Sequence, residues 1–328
     1  MELFIKTTEE IRDYVPANVS FDFKNVKPFL QLAQDKYIYP FLDQDFYQEL
    51  WDGYNTNSLT DKLKQVLYHA QNAIVNIGFM LYIPHGNVQV SSSGIHIATN
   101  EQKKTAFSWQ VNQLRDSHLN IGYNAIDDLL LYLESNIQDP EFVKWKNGSG
   151  VTLKRESLIQ SAVEFSKYVN IKSSRRVFML LYAIMQRIER EIPELISEEL
   201  FEEIITQVKN TAANSVSLEN QKLLTFIKPF IAFATIAKAA NEISLQITDQ
   251  GITIVESYQT IEKKSIVDDA RLINLINDSR HEASKAKTKL EAFLNDNADT
   301  YPLFKNSSLY QGDDEDDSDL DDSKILLV

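Results

Sequence analysis

The stretch LQITDQGITIV (Leu245–Val255) alternates apolar and polar residues, breaks at a glycine and alternates again. Successive side chains on a strand point to opposite faces, and glycine supplies the freedom a turn needs. The pattern therefore predicts a short strand, a tight turn and a return strand. VQVSSSGIHIA (Val88–Ala98) repeats it 157 residues earlier. A hairpin written twice raises the question of whether its surroundings are also written twice.

They are. TDKLKQVLYHAQNAIVNIGF (Thr60–Phe79) precedes the first hairpin and ENQKLLTFIKPFIAFATIAKAA (Glu219–Ala240) the second. At the same offset of 157, Val66 meets Leu223, Leu67 meets Leu224, Ala70 meets Ile227, Ala73 meets Phe230, Ile74 meets Ile231 and Ile77 meets Ala234. Every pair is apolar, and the spacing of three or four residues is that of a buried helical stripe. Beyond the hairpins, EQKKTAF (Glu101–Phe107) aligns with IEKKSIV (Ile261–Val267), and LLLYLESN (Leu129–Asn136) with LEAFLNDN (Leu290–Asn297), the latter at 161. Before them, EIRDYV (Glu10–Val15) meets EFSKYV (Glu164–Val169), and FLDQDFYQELW (Phe41–Trp51) meets LISEELFEEII (Leu195–Ile205), both at 154. Conserved order with a slowly drifting offset is the mark of a duplication with small loop insertions.

The expected fold is mainly α: two tandem helical-bundle units, each with a short β-hairpin, and an acidic C-terminal tail, disordered or extended. Each unit opens with a short helix (Thr8–Val15; Ser157–Val169). A longer one follows (Val26–Tyr37; Arg175–Ile192), then a brief one (Asp43–Trp51; Ser197–Val208), the apolar helix, the hairpin and closing helices. Thr99 with Gln102 reads as a capping box, and Gly122 as a break in the first unit's C-terminal helical region. The boundaries are unit one at 1–143 with hairpin 88–98, a linker at 144–154 containing NGSG, unit two at 155–300 with hairpin 245–255, and the tail at 301–328.

The composition agrees. The chain has 328 residues, 43% of them hydrophobic, with only 9 Gly and 8 Pro, which favours helices. No cysteine is present, so disulfides and thiolate chemistry are excluded. The opening MELFIKTTEE lacks the pattern of a secretion signal. No apolar run reaches membrane-span length, and Phe226–Ala240, which holds Lys228 and Lys238, reads as a core helix. No membrane association is expected. The net charge is −14, and Asp313–Asp322 alone holds seven Asp and one Glu. Such a segment buries too little apolar surface to order itself, and the balance opposes tight binding to nucleic-acid phosphates.

Signatures of chemistry are missing from the sequence. The five histidines (His69, His85, His96, His118, His281) lack ligand spacing, and His69 borders an apolar stripe as a partly buried core residue. Phosphate-binding glycine loops and the G-x-S-x-G elbow are absent. DDEDDSD lacks the spacing of an EF-hand, and Asp127–Asp128 reads as a solvated face. Lys103–Lys104, Lys263–Lys264 and Arg175–Arg176 read as solvated positions. The expectation is a protein without catalytic residues, metal or cofactor; an enzyme assembled from scattered polar groups is the remote rival.

Candidate contacts lie elsewhere. The hairpins' alternating apolar residues (Val88, Val90, Ile95 and Ile97 about Gly94; Leu245, Ile247, Ile252 and Ile254 about Gly251) can pack on their own helices or serve another subunit, since a lone hairpin is marginally stable. Ile325, Leu326, Leu327 and Val328 end the acidic strap as an apolar plug that could enter a neighbour's groove.

Lys103–Asn136 and Leu223–Ile252, with most of residues 1–300, resemble an uncharacterised protein family of Bacteroidetes bacteria, their phages and prophages. Each unit also resembles the small helical head–tail connector (adaptor) proteins of tailed phages. That resemblance implies a virion protein at the head–tail junction, made in the host cytoplasm. It implies a ring, commonly of twelve, joining portal and tail proteins and passing DNA through its lumen without sequence-specific binding. The alternative from a different class is an intracellular helical binding or regulatory module.

Overall fold

The structure, a computed structural model, describes residues 2–16, 22–86, 88–91, 94–97, 106–148, 151, 157–210, 215–243, 245–248, 251–254 and 266–311. It is mostly helical and divides into two compact units: residues to Lys154 with Ser174–Arg176, and the remainder.

In the first unit, α1 (Thr8–Arg12) opens with a capping box: Glu10 N–H donates to Thr7 Oγ1 (3.3 Å), and Thr7 N–H donates to Glu10 Oε2 (3.1 Å). Next come α2 (Phe23–Tyr37), α3 (Tyr39–Leu42) and α4 (Gln44–Thr56). The chain turns from α3 into α4 at Asp43, whose φ of 67° is left-handed. The apolar α5 (Asp61–Gly86) runs through the centre, with Val66, Ala70, Ala73, Ile74 and Ile77 fully buried. β1 (Val88–Ser91) and β2 (Gly94–Ile97) pair antiparallel, with Val88 opposite Ile97. The long α6 (Ser108–Ser135) returns along α5, which also receives α2. A tight turn at Pro140–Phe142 leads into α7 (Val143–Lys146).

The second unit follows the same order. It holds α8 (Ala162–Phe165), α9 (Arg175–Glu189, whose first two residues group with the first unit), α10 (Pro193–Ile196), α11 (Glu198–Lys209) and α12 (Leu218–Glu242). Then come β3 (Leu245–Thr248), β4 (Gly251–Ile254), α13 (Ile266–Asp296), a turn at Ala298–Thr300 and α14 (Pro302–Lys305). The β3–β4 register pairs Leu245 with Ile254, the counterpart of Val88 with Ile97.

The duplication extends to single bonds. Glu164 N–H donates to Ser161 Oγ (3.1 Å) and Gln160 N–H to Glu164 Oε2 (3.2 Å), matching Glu10 with Thr7 and Lys6 N–H with Glu10 Oε2 (2.5 Å), 154 residues apart. Ser197, with φ of 78°, turns α10 into α11 as Asp43 turns α3 into α4. Asn136 and Asn297 each close a long helix by donating Nδ2–H to the carbonyl four residues back, at 2.8 Å in both. Trp145 and Phe304 are buried at equivalent places on the closing short helices.

Several expected boundaries move. Of Ser157–Val169 only Ala162–Phe165 is α-helical, and α9 stops at Glu189 rather than Ile192. Gly122 does not interrupt α6: a Cβ there would stand 2.5 Å from Ile77 Cγ1, so the glycine permits close approach of α6 to α5. The linker does not begin at Lys144. Trp145 is buried, and its Nε1–H donates to Phe41 O (2.9 Å), which fastens α7 to the first unit. The tail does not begin at 301, because Tyr301 and Phe304 belong to the second unit's core. The Thr99–Gln102 capping box and both lysine pairs lie outside the described residues.

Candidate functional site

Two features stand apart from routine core packing: a buried polar clamp present in each unit, and an exposed apolar stripe on α6.

In the first unit, the extended segment before α1 is held by two buried glutamines. Phe4 N–H donates to Gln34 Oε1 (2.8 Å), and Gln34 Nε2–H donates to Glu2 O and Tyr47 Oη, both at 2.9 Å. From α5, Gln71 donates Nε2–H to Phe4 O (2.7 Å) and accepts from Tyr14 Oη–H (2.9 Å). Buried polar atoms are thereby paired, as the apolar interior demands. Burial, first, and nearby carboxylates push the phenols of Tyr14 and Tyr47 well above the usual tyrosine range, so both remain neutral donors.

The second unit holds Ser157–Ile159 from the equivalent position on α9, with a carboxylate. Ser157 Oγ–H (2.5 Å) and Leu158 N–H (3.0 Å) donate to Glu189 Oε1, and the Ile159 N–H also donates to the carboxylate. Glu189 is 6% exposed. Desolvation raises its pKa from 4.5 to about 7, against the opposing pull of those donors and of Lys228. Lys228, on α12 where α5 has Gln71, pairs with Glu164 at 2.5 Å.

The stripe on α6 consists of Leu114 and Ile121, seven residues apart and 50% and 43% exposed, with Phe107, 69% exposed, at the extended N-cap just before the helix. A seven-residue step nearly closes two helical turns, so Leu114 and Ile121 share one face about 10 Å apart. Trp109, 62% exposed, lies on another face of the same helix. The heptad spacing is visible in the sequence, but without the structure it reads equally as a core stripe.

Of the contact residues read from sequence, Leu245, Ile252 and Ile254 are buried in the second unit's own core, and Ile252 N–H donates to Asn170 O (2.9 Å). They are core residues, not free contact residues: the hairpin buries one face on its own helices because two strands alone cannot stabilise themselves. Ile247 and Gly251 lie on the paired strands, and so do Val88, Val90, Gly94, Ile95 and Ile97; the side chains of these seven lie outside the described residues. Ile325, Leu326, Leu327 and Val328 lie outside them altogether.

Among the described residues, no group of three or more His, Asp or Glu is placed to hold a metal ion. Burial lowers the pKa of His69 and His118, and His118 Nδ1 lies 2.9 Å from Asn76 Oδ1. α12 is long and apolar enough to cross a membrane, but more than half of that stretch is buried within its unit. Clefts of about 400 Å³ beside Lys6, Lys27 and Trp51, and about 570 Å³ beside Glu194, Ser197 and Leu303, are both shallow and open.

The profile of DUF6712, a family of unknown function, matches residues 38–154 and again 192–313, over two thirds of the chain. The chain belongs to this family. The two DUF6712 matches begin 154 residues apart, the offset that also relates the two capping boxes. No curated protein and no solved structure matches the chain. DUF6712 membership thus establishes the internal duplication of an uncharacterised family.

Proposed function

We propose that this DUF6712 protein is a structural virion protein of a tailed phage, a head–tail adaptor or head-completion ring. Its work is assembly: subunits associate side by side into a closed ring that joins portal to tail and continues the DNA channel. The observation that carries this reading is the exposed apolar pair Leu114 and Ile121 on α6, with exposed Phe107 at the helix's N-cap. Apolar side chains exposed along one helix face cost free energy in water, and a partner surface relieves that cost. Heterologous contacts of this kind close into rings when the rotation between neighbours divides a full turn. The resemblance of each unit to small connector proteins supplies the place in the virion. The acidic net charge suits a lumen that DNA slides through.

The strap after Gln311 adds a second means of attachment, with Ile325–Val328 as its plug. The cut that separates strap from unit falls after Gln311, because Leu309 and Tyr310 pack on the core.

The test is sedimentation of the full chain, alone and with the portal protein, as wild type and as Leu114→Asp/Ile121→Asp. The proposal expects a ring-sized species for the wild type and its loss in the variant. A monomer that ignores the portal would favour an intracellular binding module instead.

A further inference from the structure

The two open clefts differ in charge. The one in the second unit, about 570 Å³, is lined by Glu194, Glu198 and Glu199, and by Asn306–Leu309 just before the acidic strap departs. The one in the first unit, about 400 Å³, is lined by Lys6 and Lys27 together with the half-buried rings of Phe23 and Trp51. We propose that the first unit's cleft is the receptor for the strap of a second copy of this chain. The acidic run Asp313–Asp322 meets Lys6 and Lys27, and Ile325–Val328 covers Phe23 and Trp51. The choice of a second copy rests on the ring reading; the match of cleft to strap stands without it.

Both lysines are available to an incoming carboxylate. Lys6 Nζ donates to Asn55 Oδ1 (3.1 Å) and lies 4.1 Å from the centre of the Tyr54 ring and 5.1 Å from that of Trp51. The ring faces hold the ammonium at the cleft without neutralising it. Lys27 is exposed, and among the described residues neither lysine makes an ion pair. Glu2 shares the lining and offsets one of the two charges, so apolar contact must supply part of the grip.

The repeated framework does not require these side chains. In the second unit Gln160 stands for Lys6 and Ile205 for Trp51, both at the offset of 154. Tyr182 stands for Lys27, at the offset of 155 that relates Gln34 to Glu189. The two cations and the indole are therefore additions to the first unit, gathered at one open cleft. An open, mixed basic and aromatic cleft suits a peptide that carries both charge and apolar side chains.

The strap has that composition: seven Asp and one Glu in Asp313–Asp322, then Ile325–Val328 after Lys324. The residues between Gln311 and Ile325 span up to about 45 Å when extended. A compact unit of this size is about 40 Å across, so the apolar four can pass beyond the unit that carries them. Glu194, Glu198 and Glu199 repel the acidic run from the cleft nearest its root. Of the two clefts, only the lysine-lined one attracts it.

The test titrates a dye-labelled peptide of residues 312–328, in excess, into the full chain as wild type and as Lys6→Gln/Lys27→Gln. Both substitutions are at exposed positions, and circular dichroism checks that the fold is kept. Binding is expected to saturate, to weaken with added salt and to weaken at least tenfold in the variant. Equal binding to both proteins, or to neither, overturns the receptor. Carbodiimide cross-linking of mixed heavy-isotope and light full chains then locates the resident strap. Links from its carboxylates to Lys6 or Lys27, joining heavy to light copies, are expected. Links spread evenly over other exposed lysines, such as Lys36 and Lys209, overturn the receptor, and links confined within one copy overturn the second copy. Sedimentation separates this proposal from the ring. A monomer that still takes the peptide at this cleft loses the ring and the second copy, whereas a ring-sized species whose peptide binding ignores the substitutions loses the receptor alone.

Discussion

Gly78 offers a sharp test of how the first unit is packed. It lies on α5 where α2 crosses, and a Cβ built there would stand 2.6 Å from Leu30 Cδ2, 3.1 Å from Leu30 Cα and 3.2 Å from Leu30 N. A side-chain carbon can rotate away, but the backbone of a buried helix cannot. Gly78→Ala must therefore push α2 off α5, a cost of about 1–3 kcal/mol for overpacking. The better helix propensity of alanine returns about 1 kcal/mol. The net expectation is a loss of about 1–2 kcal/mol. Gly122→Ala is the graded companion. Its nearest atoms are the Ile77 side-chain carbons Cγ1 and Cδ1 at 2.5 and 3.3 Å, with the Ile77 nitrogen at 3.4 Å. A rotamer change of Ile77 absorbs most of that clash, so the net loss should be smaller, within about 1 kcal/mol of zero. All three tryptophans (Trp51, Trp109, Trp145) lie in the first unit, so tryptophan fluorescence during urea unfolding reports that unit selectively. A Gly78→Ala protein as stable as wild type, or less destabilised than Gly122→Ala, would refute this picture of the α2–α5 crossing.

In the second unit Thr235 stands where the first has Gly78; it is fully buried, and its Oγ1 lacks a hydrogen-bond partner among the described residues. Thr235→Val should raise stability by about 1 kcal/mol, read as a later urea midpoint by circular dichroism; an earlier midpoint would point to a partner for the hydroxyl. Thr7→Ala and Ser161→Ala remove equivalent helix caps and should each cost about 1 kcal/mol, with a marked inequality contradicting their equivalence. Trp145→Phe leaves Phe41 O without its donor and should cost about 1–2 kcal/mol in a thermal melt. No change in that melt would return α7 to the linker.

Much of the framework was legible because it is periodic or repeated. The apolar stripes of α5 and α12 announce themselves by spacing, and the offset of 154 aligns Glu10–Val15 with Glu164–Val169, whose glutamates the structure then shows at matching helix starts. What escaped the sequence depends on distance along the chain. Gln34 and Glu189 look like surface residues of amphipathic helices; only the return of Phe4 and Leu158, some 30 residues earlier, makes them buried clamps. Gly122 reads as a break because glycine disfavours helices by propensity, whereas closeness to Ile77 decides its place. Trp145 reads as linker because NGSG follows it closely, whereas its indole is buried and donates to Phe41 O. The exposed pair on α6 is hidden for the opposite reason: Leu114 and Ile121 have the spacing of a core stripe.

An experimentally determined structure of the full chain, with the halves superposed on Phe4 with Leu158, Gln34 with Glu189, Asp43 with Ser197 and Trp145 with Phe304, tests most directly whether one unit is written twice. The expected result is that α5 falls on α12 and α6 on α13, with both hairpins in one register. Core helices that cross the matched framework at different angles would contradict it.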